Sequence, residues 1–579
     1  MKMKETKTLA PLSKMPFTSA GSKFVLCTTS GGNDSFGYGK LMIGSNHPNG
    51  GYRTTRLFRV QLTYKGRLIP CAYVTTPTEL RMESDYGCVK FCFPEPHLLC
   101  FKGEGDVGLR IYGPMGPQHE SCRNMLDGTW QICWTNMNNW LFVPVSGKFT
   151  MDAPYDYRGT KSKYICADWV RDGETPFEGI IEESNLYAVR RASYPTYEEG
   201  LIKSTDTFND FLENTVPAAA GLDKDFRIKA AWIAWAHLAY PEEGSQYKYH
   251  MFRSQQECMP FAMAWHQYYH ACTFNKNKEF AWSLIMSLFE LQRPDGQLPD
   301  AVSDDVSKFH ACKPPIQGFS FLWLMDHTDI FDNEKNRIAT LADKLEKNLA
   351  WYMRTHDLDH NGIPEYQHSD ESGWDDSSVF KAPPVESPDF VAYMALGYEA
   401  LSRFRSILGD EAAAEKHMAQ SQAFVDHLVN VMWDGEKFNA RTAGTFEIVD
   451  TWSAMLYIPV ILGKRLPENI REKLCADLMN EDMYLSPNGI RTESISSFDF
   501  EGMWTLGSVL PPVQFIMCVG LDACGHPEYA AEVTRRYAAF LDESGFDIGD
   551  CTDDRLWLHN MWCSWPASII LFLAEQYLK

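Results

Sequence analysis

Three carboxylates stand within one short run, ESGWDDS, where Glu371, Asp375 and Asp376 flank Gly373 and Trp374. Like charges this close raise the pKa of one of them, and an adjacent indole that excludes water raises it further. A carboxyl held protonated in this way can serve as a general acid. The same residues also suit a solvated acidic loop whose acids cap helices, and residue chemistry alone leaves both readings open. A second acidic run, Asp357, Asp359 and Asn361 before Gly362, begins like a calcium loop, but His368 stands where the twelfth-position Glu belongs. An Asp/Asn/Gly turn closing a helix is the expectation there. His266 with His270, and Cys563 near His559, lack a nearby third ligand, so no metal and no cofactor are expected. No Gly-rich phosphate loop or nucleophile elbow stands out.

The elements that must position these groups fall into two halves. From about Phe24 to about Leu186, apolar and polar residues alternate in short runs broken by Gly, Asn, Asp and Pro, as in RLFRVQLTYKGRLIPCAYVTT. This predicts antiparallel strands folded as a sandwich. Near Val216 the apolar spacing switches to a helical rhythm and keeps it to the C-terminus, through about twelve segments such as IKAAWIAWAHLAY, WSAMLYIPVILG and WPASIILFLAEQYL. The chain is thus expected to be multidomain, β plus α. A β-sandwich with its linker occupies 1–215, and an (α/α)6 barrel occupies 216–579, with six helices inside an outer ring and the loops of one end gathered into a pocket. An unclosed helical solenoid is the alternative that the pattern admits.

With 579 residues, 45% hydrophobic and 22% charged, the chain can bury a large core and is not disordered. A net charge of −22 repels phosphate backbones and anionic lipid, which argues against nucleic acid and membrane as partners. Neither a secretory signal nor a spanning apolar stretch is read, and the sixteen cysteines show no CxxC pair, so a cytoplasmic protein with reduced thiols is expected. Aromatic residues reach 13%, and their faces stack well on sugar rings, although large cores are aromatic too. Oligomeric state is left open.

ESGWDDS resembles the acid-bearing motif of the inverting glycosidases of glycoside hydrolase family 63 and the related mannosylglycerate hydrolases, and trehalases carry a similar GWD stretch. WHQYYHACTFNKNKEFAWSLIMSLFELQRPDGQLPDAV, KPPIQG, YLSPNGIRTESISSFDF, LGSVLPPVQFIMCVGL and MWCSWPAS follow in that family's order, so the resemblance covers roughly 227–579. It implies an N-terminal sandwich, an inverting mechanism, α linkages and Asp375 as the general acid that protonates the glycosidic oxygen. The family's base is a Glu shortly after a Gly-Phe pair. Here Gly545-Phe546 is present, Ile548 occupies that place, and Asp550 is favoured over Asp547 as the substitute, with Glu543 just upstream. The family's Trp-Asp pair reads Trp265-His266, and the Arg after the later Trp is missing from Met503-Trp504-Thr505. His266 is either a sugar ligand or a core histidine bonded to a backbone carbonyl.

Trp265, Trp374, Trp504 and Trp565 lie in the resembling motifs and are assigned to sugar stacking or water exclusion, with packing between inner helices as the rival role. Glu371, Gln292, Asp295, Lys313 and Gln317 complete the expected sugar-binding set. The resulting expectation is an exo-acting inverting glycosidase for a small α-linked oligosaccharide or glycoside. Two rivals are kept. One is a phosphorylase on the same scaffold, for which Arg555, His559 and Arg491 would supply positive charge, and the other is a sugar-binding protein without turnover.

Overall fold

The computed structural model describes residues 12, 14–28, 41–45, 55–115, 120–133, 138–184, 189–242, 244–254, 261–546 and 563–578. The alternating first half forms two antiparallel sheets. One holds, in spatial order, Phe24–Thr28, Leu41–Ser45, Thr55–Tyr64, Gly108–Pro114, Tyr164–Val170 and Lys148–Asp152, with Arg67–Ile69 paired to Thr55–Tyr64. The other runs Ser121–Asn124, Trp130–Cys133, Asn139–Ser146, Glu178–Ser184, Leu98–Gly105, Gly87–Glu95, Leu80–Ser84 and Ala72–Thr75. Side chains alternate across each strand, so Ile165, Ala167 and Trp169 point inward while Tyr164, Cys166 and Asp168 are partly exposed. The inward faces meet across the layer, where Phe24 stands edge-on to Trp140 with centroids 4.8 Å apart.

Helix α1 (Tyr197–Asn214) follows, begun by a Thr196/Glu199 capping box and tied back to the second sheet by the Tyr197 hydroxyl, which donates to Glu79 at 2.7 Å. Beyond it lie α2 (Lys224–Ala236), α3 (Ala264–Thr273), α4 (Lys278–Ser287), α5 (Gln317–His327), α6 (Lys335–Thr355), α7 (Pro388–Leu408), α8 (Glu411–His427), α9 (Glu468–Leu478), α10 (Pro511–Cys524), α11 (Pro527–Ser544) and α12 (Ser564–Tyr577). Between α8 and α9, Ala454–Arg465 is a 3-10 segment rather than the regular helix its apolar rhythm predicts, and Pro459 inside it cannot donate a helical hydrogen bond.

This segment and α3, α5, α7, α10 and α12 touch one another in a closed cycle, and on the outside α4 packs on α3, α6 and α8 on α7, α9 on Ala454–Arg465, α11 on α10 and α12, and α2 on α12. The twelve elements therefore make the double ring of an (α/α)6 barrel. Close approach inside the ring is set by small residues: a side chain on Gly318 of α5 would overlap the backbone of Gly397 in α7. The described helices include none long and apolar enough to cross a membrane.

The sandwich docks on the ring through buried charge. Lys23 pairs with Glu242 at 3.2 Å and Asp304 at 2.7 Å, and His97 lies between Glu183 at 3.0 Å and Glu242 at 2.7 Å. Arg253 donates to the Ser22 carbonyl at 2.7 Å.

Candidate active site

The residues leading into the N-terminal ends of α3, α5, α10 and α12 converge on a cavity of about 420 Å³ whose wall includes Trp265, His266, Lys313, Asp375, Trp504 and Trp565. Helix N-termini carry partial positive charge, so this end of the ring suits oxygen-rich ligands. The ESGWDDS turn closes one side. It begins as a 3-10 turn, Ser369–Ser372, ends at Gly373 with φ +73°, and lays Gly373 on the Trp265 ring, where a Cβ would come within 2.8 Å. Only glycine meets both conditions. Trp374 is buried and lines the cavity beside Asp375 and Asp376, which keep exposed surface.

The two aspartates differ in their surroundings. Asp376 accepts from the Thr505 backbone N–H at 3.1 Å and from the Thr505 hydroxyl, which ties the acidic turn to the Trp504 loop. Asp375 has no such anchor among the described hydrogen bonds. Burial raises its pKa above the ordinary carboxylate value, Lys313 opposes the rise, and Asp370, Asp376 and Asp300 add to it. The Lys313 ammonium bonds the Asp370 carboxylate at 2.6 Å and the Asp370 carbonyl, and lies 3.4 Å from Asp300. Burial disfavours its charge, but these two acids outweigh burial and hold the Lys313 pKa above its usual value. A carboxyl with a raised proton affinity beside an open cavity is suited to donate a proton to a bound oxygen.

On the same cavity wall, His266 is 2% exposed and its ring lies tilted against Trp565 with centroids 3.9 Å apart. Burial, then His270 and Lys313, drive its pKa well below the usual imidazole value, so it is neutral. Neither ring nitrogen has a hydrogen-bond partner among the described residues, and the Trp565 indole N–H is likewise unpaired. The backbone bond that would make His266 an ordinary core histidine is therefore not formed among them.

Several expected sugar ligands lie elsewhere. Gln292 spends its amide on the Gly296 and Lys344 carbonyls at 3.0 and 2.9 Å, which pins the DG turn to α6. Asp295 is exposed and accepts from the Gln297 N–H at 3.3 Å. Gln317 is buried at the start of α5, away from the cavity wall. Glu371 also faces away. It accepts from the backbone N–H groups of Gln367 and His368 and lies 3.6 Å from His356, and those contacts, against the effect of burial, lower its pKa. It shapes the turn rather than the cavity wall.

The base candidates Asp547 and Asp550, Ile548 beside them, and Arg555 and His559 lie outside the described residues. Glu543 is exposed on α11, and Phe546 after Gly545 is buried against Phe226 at 4.7 Å. Arg491 stands over Phe500 and is not part of the cavity wall. Sequence reasoning missed Asp370 and Asp300 as partners of Lys313, and Thr505 as the anchor of Asp376. Only Thr505 carried a local signal, its place beside Trp504. A larger cleft of about 800 Å³ lined by parts of α1, α4 and α6 contains none of the residues singled out in the sequence.

Three groups of potential metal ligands come within 4.8 Å among the described residues. In the group of Asp300, His310 and Asp370, Lys313 already pairs with both acids, and in the group of Cys312, His356 and Glu371, His356 lies 3.5 Å from the Cys312 thiol and 3.6 Å from Glu371. In the third, Asp357 and Glu365 accept from the Gly362 and Leu358 N–H groups, and Asp359 accepts from Asn361 and Gly444. These bonds build the predicted Asp/Asn/Gly turn.

Residues 259–549, half of the chain, match the family described as the mannosylglycerate hydrolase MGH1-like glycoside hydrolase domain. No curated protein matches the chain. Among solved structures, the GH63 mannosylglycerate hydrolase from Thermus thermophilus in complex with Tris and D-glycerate is 17% identical, with 60% of this chain and 99% of that chain covered and a TM-score of 0.50. A bacterial glucoamylase complexed with acarbose is 10% identical, with 100% of this chain and 96% of that chain covered and a TM-score of 0.61. At these identities the likeness is one of fold, and the glucoamylase match extends over both the paired sheets and the (α/α)6 barrel. With the family match spanning the ESGWDDS turn and most of the cavity wall, the chain belongs to the MGH1-like glycoside hydrolase family and is a glycosidase.

Proposed function

We propose that the chain is an exo-acting, inverting glycosidase that releases a terminal α-linked sugar from a small oligosaccharide or glycoside, with Asp375 as general acid. The observation that carries this reading is the Asp375 carboxyl on the cavity wall, with a raised pKa and facing a chamber lined by Trp265, His266 and Trp565. Asp375 would protonate the glycosidic oxygen as the C–O bond breaks, so that the aglycone departs as an alcohol. A water activated by a second carboxylate would attack the anomeric carbon from the opposite face and invert it. Asp550, or Asp547, is the proposed base. Trp265, Trp374, Trp504 and Trp565 would enclose the sugar, and neutral His266 would offer one donor and one acceptor to its hydroxyls. The small volume of the cavity favours one terminal residue and a short aglycone.

The proposed boundary between the bracing sandwich and the catalytic barrel lies at residues 215–216. The proposed compartment is the cytoplasm, to which the free thiols of facing strand residues Cys92 and Cys100 are suited. Lys313, already paired with Asp370 and Asp300, favours water over phosphate as the nucleophile. Time-resolved proton NMR on a panel of α-linked disaccharides and aryl glycosides, with and without phosphate, tests the reading. Phosphate-independent release of the β-anomer by the wild type, lost in Asp375→Asn, is the expected result. Turnover that requires phosphate, or release of the α-anomer first, would overturn it.

A further inference from the structure

Glu493 is fully buried, carries a carboxyl that the proposed chemistry does not use, and lies behind the cavity wall rather than in it. It sits in a network of hydroxyls that reaches the cavity from two sides. On one side its Oε2 accepts from the Ser378 hydroxyl at 2.8 Å, and the Ser378 and Thr451 hydroxyls are 2.5 Å apart. The neighbouring Ser377 hydroxyl donates to Ser453 at 2.9 Å, and Ser453 is bridged to Glu493 through the backbone. Ser377 and Ser378 directly follow Asp375 and Asp376, so these bonds fix the downstream end of the acidic turn. On the other side, the adjacent Thr492 hydroxyl donates to the Trp504 carbonyl and accepts from the Gly507 N–H, both at 2.9 Å. That loop carries Thr505, which holds Asp376 directly.

The segment from Thr492 to Ser494 therefore lies between the two loops that bear the acid and the Trp504 wall, and both hang from it. A neutral hydroxyl network needs no carboxyl to hold two loops together, and burying one is costly. Burial raises the Glu493 pKa, which suits a carboxyl that works as a hydrogen-bonding group rather than as a charge.

We propose that Glu493 is a positioning residue for the general acid: through Ser378 it sets the acidic turn that carries Asp375 against the Trp504–Thr505 wall. The inference rests on the glycosidase reading of this cavity with Asp375 as its acid. A misplacement of the acid by about 1 Å costs on the order of 100-fold in rate, whereas the sugar contacts of Trp265, His266 and Trp565 stay in place. Glu493→Ala should then lower kcat by about 100-fold with KM changed less than about threefold. Glu493→Gln, which keeps the shape and an oxygen acceptor for Ser378, should restore most of that loss.

The test compares wild type, Glu493→Ala, Glu493→Gln and Asp375→Asn in kcat and KM, alongside amide hydrogen exchange of residues 374–378 and 503–506. Faster exchange in both segments of Glu493→Ala, slowed again in Glu493→Gln, is the expected companion of the kinetic result. A folded Glu493→Ala protein with wild-type kcat and unchanged exchange would overturn the inference while leaving the glycosidase reading intact. If Glu493→Ala does not fold, Ser378→Ala carries the same comparison, and unchanged kcat and exchange there overturn the inference equally. Absence of turnover by the wild type would sink the glycosidase reading, and the exchange experiment would still decide whether Glu493 holds both loops.

Discussion

The joint between the sandwich and the barrel should be most stable in a narrow pH window. His97 lies between Glu183 and Glu242 with its side chain 20% exposed. Burial alone would lower its pKa, but the two carboxylates outweigh burial and raise it from 6.5 to about 9. The folded state thus holds the proton more tightly than the unfolded chain does. The resulting stabilisation is complete below pH 6.5 and is lost as pH rises through 9. Glu242 behaves oppositely. Burial raises its pKa, yet His97 and Lys23 bring it down from 4.5 to about 2, so its contribution is complete above pH 4.5 and is lost as pH falls through 2. Both shifts express one ion pair and are not added.

Charging His97 in place therefore contributes about 3 kcal/mol, at about 1.4 kcal/mol per tenfold change in proton affinity. The perturbation to use is His97→Asn, because His97 has φ +66° and Asn tolerates that conformation. Urea unfolding of both proteins should show a stability gap near pH 6 that shrinks by about 3 kcal/mol near pH 10. A gap of equal size at both pH values would refute the ion-pair account of this joint.

Two further perturbations address the cavity. Lys313→Met removes the cation that opposes the rise of the Asp375 pKa and frees the charges of Asp370 and Asp300, so the basic limb of the kcat/KM profile should move to higher pH. The same change should cost about 3–5 kcal/mol of stability, because it leaves the buried Asp300 carboxylate without its cation. A pH–rate profile and a denaturation curve on one preparation check both. Gly373→Ala forces a Cβ toward the Trp265 ring at a φ of +73°, and should cost about 1–3 kcal/mol and displace the acid. A crystal structure with an unmoved Trp265 and a wild-type rate would contradict it.

The architecture was readable because its two periodicities differ. Alternation in Tyr164–Val170 and the helical rhythm of α6, where Ile338, Leu341, Ala342, Leu345 and Leu349 are buried, are each set by which face must be buried, and that constraint is local in sequence. The 3-10 segment Ala454–Arg465 has the apolar rhythm of its neighbours, and only Pro459 hinted that a regular helix could not form there. The acidic turn was legible for a similar reason, since Gly373, Trp374, Asp375 and Asp376 act on one another over short distances. What was not legible is long-range. Lys313 meets Asp370 across 57 positions and Asp376 meets Thr505 across 129, and no spacing rule links such pairs. Gln292 and Asp295 failed as pocket residues because a polar side chain beside a turn finds that turn's own carbonyls and N–H groups first.

The replacement of the expected acid by His266 has a definite electrostatic consequence. A carboxylate at that buried position would add to Asp370, Asp376 and Asp300, all of which already raise the Asp375 pKa, with Lys313 as the opposing charge. The neutral imidazole leaves the proton affinity of Asp375 to burial and to those four groups. Among the described residues its two ring nitrogens and the nearby indole N–H of Trp565 have no hydrogen-bond partner. Unpaired polar atoms in a buried wall are costly until a ligand satisfies them, so a sugar that hydrogen-bonds them gains that energy, whereas an analogue lacking the matching hydroxyl does not. On the proposed reading, the acidity of Asp375 and the selection of the sugar would thus be controlled by different side chains. Changes at Lys313 should move the pH dependence, and changes at His266 should move the choice of sugar.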